Sequence, residues 1–163
     1  MSLLSAPLNF AMVQPGIYRS GCPNSRNHSF IKSLDLKSIL YLATEEYSPE
    51  NTQFLSSNDI QIFKFSIKGN KEPFETISNK DITDALNLLL DTSNHPILVH
   101  CNKGKHRVGC LVGCLRRLEG WSNASIYDEY KRFTGEKPRL ADQDFIQQFP
   151  IEQIRFNQVD PVS

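Results

Sequence analysis

Short runs of apolar, often β-branched residues alternate along the chain with stretches in which apolar residues recur every three or four positions. The runs at 10–13, 17–20, 38–42, 60–66 and 97–100 predict strands. The stretches 29–36, 49–57 and 81–90 predict helices, the last with Ile82, Ala85, Leu86 and Leu89 on one face. Beyond residue 100 the pattern turns mostly helical. Residues 105–118 place Val108, Leu111, Val112, Leu115 and Leu118 in a single apolar stripe, and Gly120 ends that helix. Ser122 is positioned to cap a helix over 123–133, and Asp142 to cap a last one over 143–149, before Pro150 and a tail at 156–163 that reads as frayed. This alternation predicts an α/β domain: a central, mainly parallel twisted sheet flanked by helices, with a helical C-terminal part. The chain shows no internal repeat.

Composition narrows the picture. With 163 residues there is room for one domain over 1–163, with a core at about 10–149 and a tail at 150–163. Eighteen basic residues balance eighteen acidic ones, which excludes a generic polyanion binder that draws its affinity from a basic excess. No nucleic-acid partner is expected, and any anion site must be local. No apolar run approaches the roughly 18 to 20 residues of a membrane span. The first ten residues lack the basic start and long apolar run of a secretory leader, so no membrane is expected either. Cys22, Cys101, Cys110 and Cys114 are too few and too unevenly placed to staple the domain, which points to reduced thiols and a cytoplasmic protein. On that reading the patterns Asn27-His28-Ser29 and Asn123-Ala124-Ser125 are accidents of composition rather than glycosylation sites.

One segment carries chemistry. Pro96-Ile97-Leu98-Val99-His100-Cys101-Asn102-Lys103-Gly104-Lys105-His106-Arg107 runs from a buried-strand pattern through a polar loop directly into a helix. Cys101 thus stands at the C-terminal end of a strand, where α/β sheets place ligands. Five residues between a Cys and an Arg can curl so that consecutive N–H groups point inward, and the helix adds its positive N-terminal end. The result is a phosphate-sized cradle. The same field favours a thiolate, which makes Cys101 a candidate nucleophile. Arg107 can hold two phosphoryl oxygens at once, which Lys cannot, and Gly104 permits a backbone shape that a side chain would hinder. A zinc site built from His100, Cys101, His106 and another Cys would lack the paired short spacings of such sites, so no metal or other cofactor is expected.

Read as His-Cys-x2-Gly-x2-Arg, residues 100–107 match the signature of the cysteine-dependent phosphatases. Together with Ile17-Tyr18-Arg19-Ser20-Gly21, Gly69-Asn70-Lys71-Glu72-Pro73-Phe74 and the segment 121–133, the chain resembles the plant and fungal atypical dual-specificity phosphatases. The resemblance runs from about residue 10 to 149. Fungal members of that group include inositol pyrophosphate phosphatases. The resemblance implies a phosphocysteine formed on Cys101, Arg107 as phosphate clamp and a cradle formed by Asn102, Lys103, Gly104, Lys105 and His106. It also assigns Lys68 and Lys71 to substrate binding, because the 69–74 loop would close over the phosphate site. The implied substrate is an inositol pyrophosphate or another phosphorylated compound; regulatory protein partners are compatible with the same group.

Two positions depart from the superfamily pattern. Many members carry a hydroxyl residue directly after the Arg, where it eases breakdown of the phosphoenzyme; here the residue is Val108. A general-acid Asp is expected roughly 30 residues before the Cys, yet 67–76 offers only Glu72 and Glu75, of which Glu72 is the candidate. Three alternatives follow: a slow, ligand-binding regulatory module on the same loop, a protein tyrosine or dual-specificity phosphatase, and a rhodanese-like sulfur transferase. Taken singly, Lys131, Arg132, Lys137 and Arg139 read as solvated cations, His28 and His95 as surface or loop residues, and Trp121, Tyr127, Tyr130 and Phe133 as packing residues. Cys110 and Cys114 share the apolar helix face and read as small core residues.

Overall fold

The computed structural model describes residues 3–70 and 76–152. Its strands are β1 (Ala11–Gln14), β2 (Ile17–Ser20), β3 (Ser38–Tyr41), β4 (Gln61–Lys64) and β5 (Ile97–His100). Its helices are α1 (His28–Ser33), α2 (Pro49–Ser57), α3 (Asn79–Leu90), α4 (His106–Leu118), α5 (Asn123–Thr134) and α6 (Leu140–Gln148). The strands form one sheet in the order β1-β2-β5-β3-β4. β2, β5, β3 and β4 run parallel, and the β1–β2 hairpin adds one antiparallel edge. The mainly parallel sheet read from the alternation of strands and helices is therefore the sheet that forms.

Side chains alternate across the sheet and so build two cores. Ile97 and Val99 of β5, with Ile17 and Leu40, face α3 to α6 and pack with Leu86, Leu111, Leu115 and Ile146. Leu98 and Ile39 face the opposite side and meet Ile31 and Leu36 of the α1 region and Leu55 of α2. Every residue of β5 is buried, as a central strand covered on both faces requires.

The register brings three strand ends to one edge. Ser20 and Tyr41 both stand opposite His100, so β2, β5 and β3 finish level with one another, and the chain leaves β5 into the loop beginning at Cys101. On either side of β5 the connections diverge, which is the crevice in which open α/β sheets bind ligands. Among the described residues no helix is long and apolar enough to cross a membrane.

Several boundaries differ from the sequence expectation, each for a local reason. α3 starts two residues early because Ser78 Oγ, not a later residue, accepts from Asp81 N at 3.0 Å. β4 is shorter than 60–66, although Phe65 N and Ile67 N still donate to Tyr41 O and Leu42 O. α6 begins at Leu140 rather than 143, with Arg139 at its N-cap position and no capping side chain. Asp142 is consequently not a cap: it lies inside the first turn, buried, and serves other partners. Ser122 does cap α5, and Gly120 does follow α4. The tail at 156–163, with Lys71 and Glu72, lies outside the described residues.

Candidate active site

The loop from Cys101 to Arg107 lies between the end of β5 and the start of α4, and its first side chain is its least exposed. Cys101 is 2% exposed and accepts a hydrogen bond on Sγ from Gly104 N at 3.3 Å. That bond curls the loop back over the sulfur. An N–H aimed at sulfur stabilises negative charge there, as does the N-terminal end of α4, which begins at His106. Gly104 has φ +73°, and a Cβ on it would come within 2.6 Å of the Ser20 and Gly21 backbone. No other residue fits without displacing β2.

His100 anchors the loop from beneath. Its ring is fully buried, and burial holds its pKa down to about 4, so it is neutral at neutral pH. Nδ1 lies 3.1 Å from Cys101 O, an acceptor, so Nδ1 carries the proton and Nε2 accepts from Tyr47 OH at 2.9 Å. Burial pushes the Tyr47 phenol well above its ordinary value, which keeps that donor intact.

The far end of the loop is held by side chains. Arg107 donates from Nη1 to Ile67 O at 3.1 Å. His106 Nδ1 lies 3.2 Å from Asp142 Oδ2, which also accepts from Tyr130 OH; Asp142 Oδ1 accepts from Asn70 Nδ2 at 2.9 Å. Burial pushes the Asp142 carboxyl upward, yet the hydrogen bonds from His106, Tyr130 and Asn70 outweigh it and hold the group below the usual carboxylate range. Asn70 Oδ1 in turn accepts from Ile77 N at 2.7 Å.

Above the loop opens a cleft of about 510 Å³. Cys101 and Arg107 line it together with the cations Lys68, Lys103, Lys105, Lys137 and Arg139. Thr44 and Glu45 complete one wall, Glu45 being the carboxylate of that wall among the described residues. The sequence-derived residues Cys101, Asn102, Lys103, Lys105, His106, Arg107 and Lys68 are thus brought together, with Gly104 beneath them. Lys137 is exposed, as a solvated cation should be, and the turn between α5 and α6 also brings it and Arg139 to the cleft. Tyr130 packs in the core as expected and also donates to Asp142, and the Phe133 ring stacks on Arg19. His28 is likewise no plain surface residue, since it stacks on Phe54 and lies 2.7 Å from Asn51 Oδ1. Cys110 and Cys114 are buried with their thiols pushed upward by that burial, as core residues should be.

A buried cysteine that accepts a loop N–H on its sulfur, an arginine at the loop's helical end and five further cations share one cleft. The family model described as the tyrosine phosphatase family matches residues 4–161. The chain belongs to that family. It is 52% identical over 153 residues to an Arabidopsis thaliana inositol diphosphatase, DSP4, covering 94% of this chain and 77% of the relative. It is 47% identical to the Saccharomyces cerevisiae inositol diphosphatase SIW14, covering 91% of this chain and 53% of that longer protein. The solved catalytic core of Siw14 superposes with a TM-score of 0.92 at 44% identity, covering 96% of this chain and 93% of that one. The Pseudomonas aeruginosa protein TpbA, at 17% identity and a TM-score of 0.76, shares the fold. This chain is a cysteine-dependent phosphatase by family, and its fold is that of the Siw14 core.

Proposed function

We propose that the chain hydrolyses the phosphoanhydride of an inositol pyrophosphate through a phosphocysteine on Cys101. The observation that carries this reading is the cleft itself, whose five cations beyond Arg107 exceed what a single phosphate monoester needs and suit a dense polyanion. The names of the Arabidopsis and yeast relatives support the same substrate class.

In the first step the Cys101 thiolate attacks the terminal phosphorus. The S–P bond forms as the bond from phosphorus to the bridging oxygen breaks, and the inositol polyphosphate departs with that oxygen. Loop N–H groups and the Arg107 fork hold the equatorial oxygens, whose charge they meet best in the transition state. Water then attacks phosphorus, the S–P bond breaks, and inorganic phosphate leaves with the thiolate regenerated. Asp142 is a poor general acid, because three donors hold it ionised. Glu72, the candidate acid, lies outside the described residues. An anhydride tolerates a weak acid, since its phosphate leaving group is far less basic than a phenolate or an alkoxide. The free thiols of all four cysteines suit a reducing compartment and support a cytoplasmic location.

Phosphate release from purified protein tests the proposal. We expect kcat/KM on an inositol pyrophosphate to exceed that on a phosphotyrosine peptide by at least about a hundredfold, the low end of what a placed general acid contributes. Added salt should shrink the difference by screening the exposed lysines. Cys101→Ser should abolish both activities. Equal rates on the two substrates would instead favour a protein phosphatase, as the name of a 38% identical Dictyostelium discoideum relative, a probable tyrosine-protein phosphatase, suggests.

A further inference from the structure

A loop that turns its N–H groups toward an anion must turn the matching carbonyls away from it, and donors that take those carbonyls fix that orientation. Three consecutive carbonyls of this loop are met from one place. Asn102 O accepts from Cys22 N at 2.8 Å, Lys103 O from Asn9 Nδ2 at 2.7 Å and Gly104 O from Arg19 Nη2 at 3.2 Å. All three donors belong to residues 9–22, each 80 or more positions upstream of the carbonyl it meets.

The donors are themselves fixed. Asn9 adopts φ +56°, a left-handed conformation that Asn tolerates better than most residues, and Gly21 N donates to Leu8 O at 2.7 Å to close the turn behind it. Arg19 is 2% exposed, with its guanidinium 3.7 Å from the Phe133 ring centroid. Burial lowers its pKa to about 10, with the Glu129 and Cys101 charges opposing, so it remains a cation at neutral pH. A charge this deep is unfavourable unless something draws on it.

We propose that Asn9 and Arg19 are positioning residues of the phosphate site. By holding the Lys103 and Gly104 carbonyls outward they keep the intervening N–H groups turned toward the phosphoryl oxygens, and Arg19 sets a fixed positive charge behind the loop. This rests on reading residues 101–107 as the phosphate site.

Two variants of Asn9 isolate the bond from the backbone. Asn9→Asp keeps shape and left-handed tolerance but presents an acceptor to Lys103 O; Asn9→Gly keeps the backbone and removes the side chain. Steady-state kinetics on an inositol pyrophosphate, orthovanadate inhibition constants and melting temperatures are measured for each. We expect Asn9→Asp to lower kcat at least about fivefold, the factor that one hydrogen bond's net contribution gives, and to weaken orthovanadate in parallel. KM should move less, because the exposed lysines still gather substrate. Melting temperature should change by no more than about 2 °C, and Asn9→Gly should fall between Asn9→Asp and the wild type. Arg19→Lys should recover part of the loss seen in Arg19→Met, since it keeps charge without the planar stack. Should the Arg19 variants fail to fold, the Asn9 pair decides alone. Wild-type kcat and orthovanadate affinity in both Asn9 variants would overturn the proposal. Failure of orthovanadate to compete with substrate on the wild-type protein would overturn the phosphate-site reading instead.

Discussion

The two halves of the 101–107 loop are held by different means. Residues 102–104 are gripped through their backbone carbonyls by donors from the N-terminal stretch, so the identity of their own side chains hardly matters there, apart from Gly104. Residues 106 and 107 are gripped through their side chains, by Asp142 and by Ile67 O, and their identity is the whole of the interaction. The first half sets the direction of the N–H groups. The second sets where the guanidinium sits and ties the loop to α5, α6 and Asn70. The first half is thus vulnerable at its distant donors, Asn9 and Arg19, and at Gly104; the second is vulnerable at its own side chains and, through Asp142, to pH.

The sharpest way to break the comparison is in the first half. Gly104→Ala forces a Cβ to within 2.6 Å of the β2 backbone at a positive φ. Backbone strain of about 1–3 kcal/mol and overpacking of about 1–3 kcal/mol should add, for a total near 2–6 kcal/mol by chemical denaturation and a near-complete loss of phosphatase activity. An Ala variant with wild-type stability and turnover would mean that the loop is not pressed against β2.

His100, which precedes both halves and holds Cys101 O, sharpens the comparison through pH. Its ring titrates near 4 in the folded chain and near 6.5 when free. Above pH 6.5 both states hold it neutral and its contribution to stability is complete. As pH falls from 6.5 toward 4 the unfolded chain takes up a proton that the folded chain refuses. Stability should therefore drop by about 1.4 kcal/mol per pH unit, roughly 3 kcal/mol in all. Denaturant midpoints from pH 7.5 to 4 should show this slope, and His100→Asn, which keeps a donor near Cys101 O, should flatten it. A variant with the wild-type slope would place the titration elsewhere.

Much of this architecture is legible in the chain itself. The four-residue strands stand out because β5 is apolar at every interior position and the helices carry 3.6-residue stripes, and these patterns also fix which faces meet. Cys101, Gly104 and Arg107 are legible because a nucleophile, a left-handed turn and a planar cation each demand one residue type at one spacing. The braces are not. Asn9, Arg19 and the Cys22 backbone act on the loop from 80 or more residues away, and a carbonyl captured by a backbone N–H leaves no trace in composition. Asp142 misleads for a related reason: an acid near a helix start is read as a cap, whereas here it is buried and reached by side chains from three other segments. Lys137 and Arg139 are ordinary cations until the turn between α5 and α6 aims them.

The second half should break more gently. Asp142→Asn keeps the shape but removes the charge that His106, Tyr130 and Asn70 share, and each bond to an ionised acceptor contributes more than a neutral one. We expect a loss of about 1–3 kcal/mol at pH 7. Because the folded carboxyl titrates below the ordinary value, its stabilisation is complete above about pH 4 and is lost as pH falls further, so the gap between variant and wild type should close in acid. A gap that persists unchanged at pH 2.5 would show that packing, not charge, holds the network.

The smallest expected effect is kinetic. Val108 follows Arg107 in α4, is fully buried, and packs in the same core as Cys101. A valine there offers the departing sulfur no hydrogen bond when water attacks the phosphocysteine, so breakdown of that intermediate should limit turnover and rapid-quench traces should show a burst. Val108→Thr swaps a methyl for a hydroxyl at nearly constant volume. Burying that hydroxyl without a partner would destabilise the fold by about 1–3 kcal/mol, whereas a hydroxyl that reaches the sulfur offsets most of this. Stability and rate therefore report on one bond from two sides. If the bond forms, steady-state turnover should rise a few-fold, the burst should shrink and stability should stay within about 1 kcal/mol of wild type. A destabilised variant with an unchanged burst would show that the hydroxyl points into the core, and a wild type without any burst would place the slow step before the phosphocysteine forms.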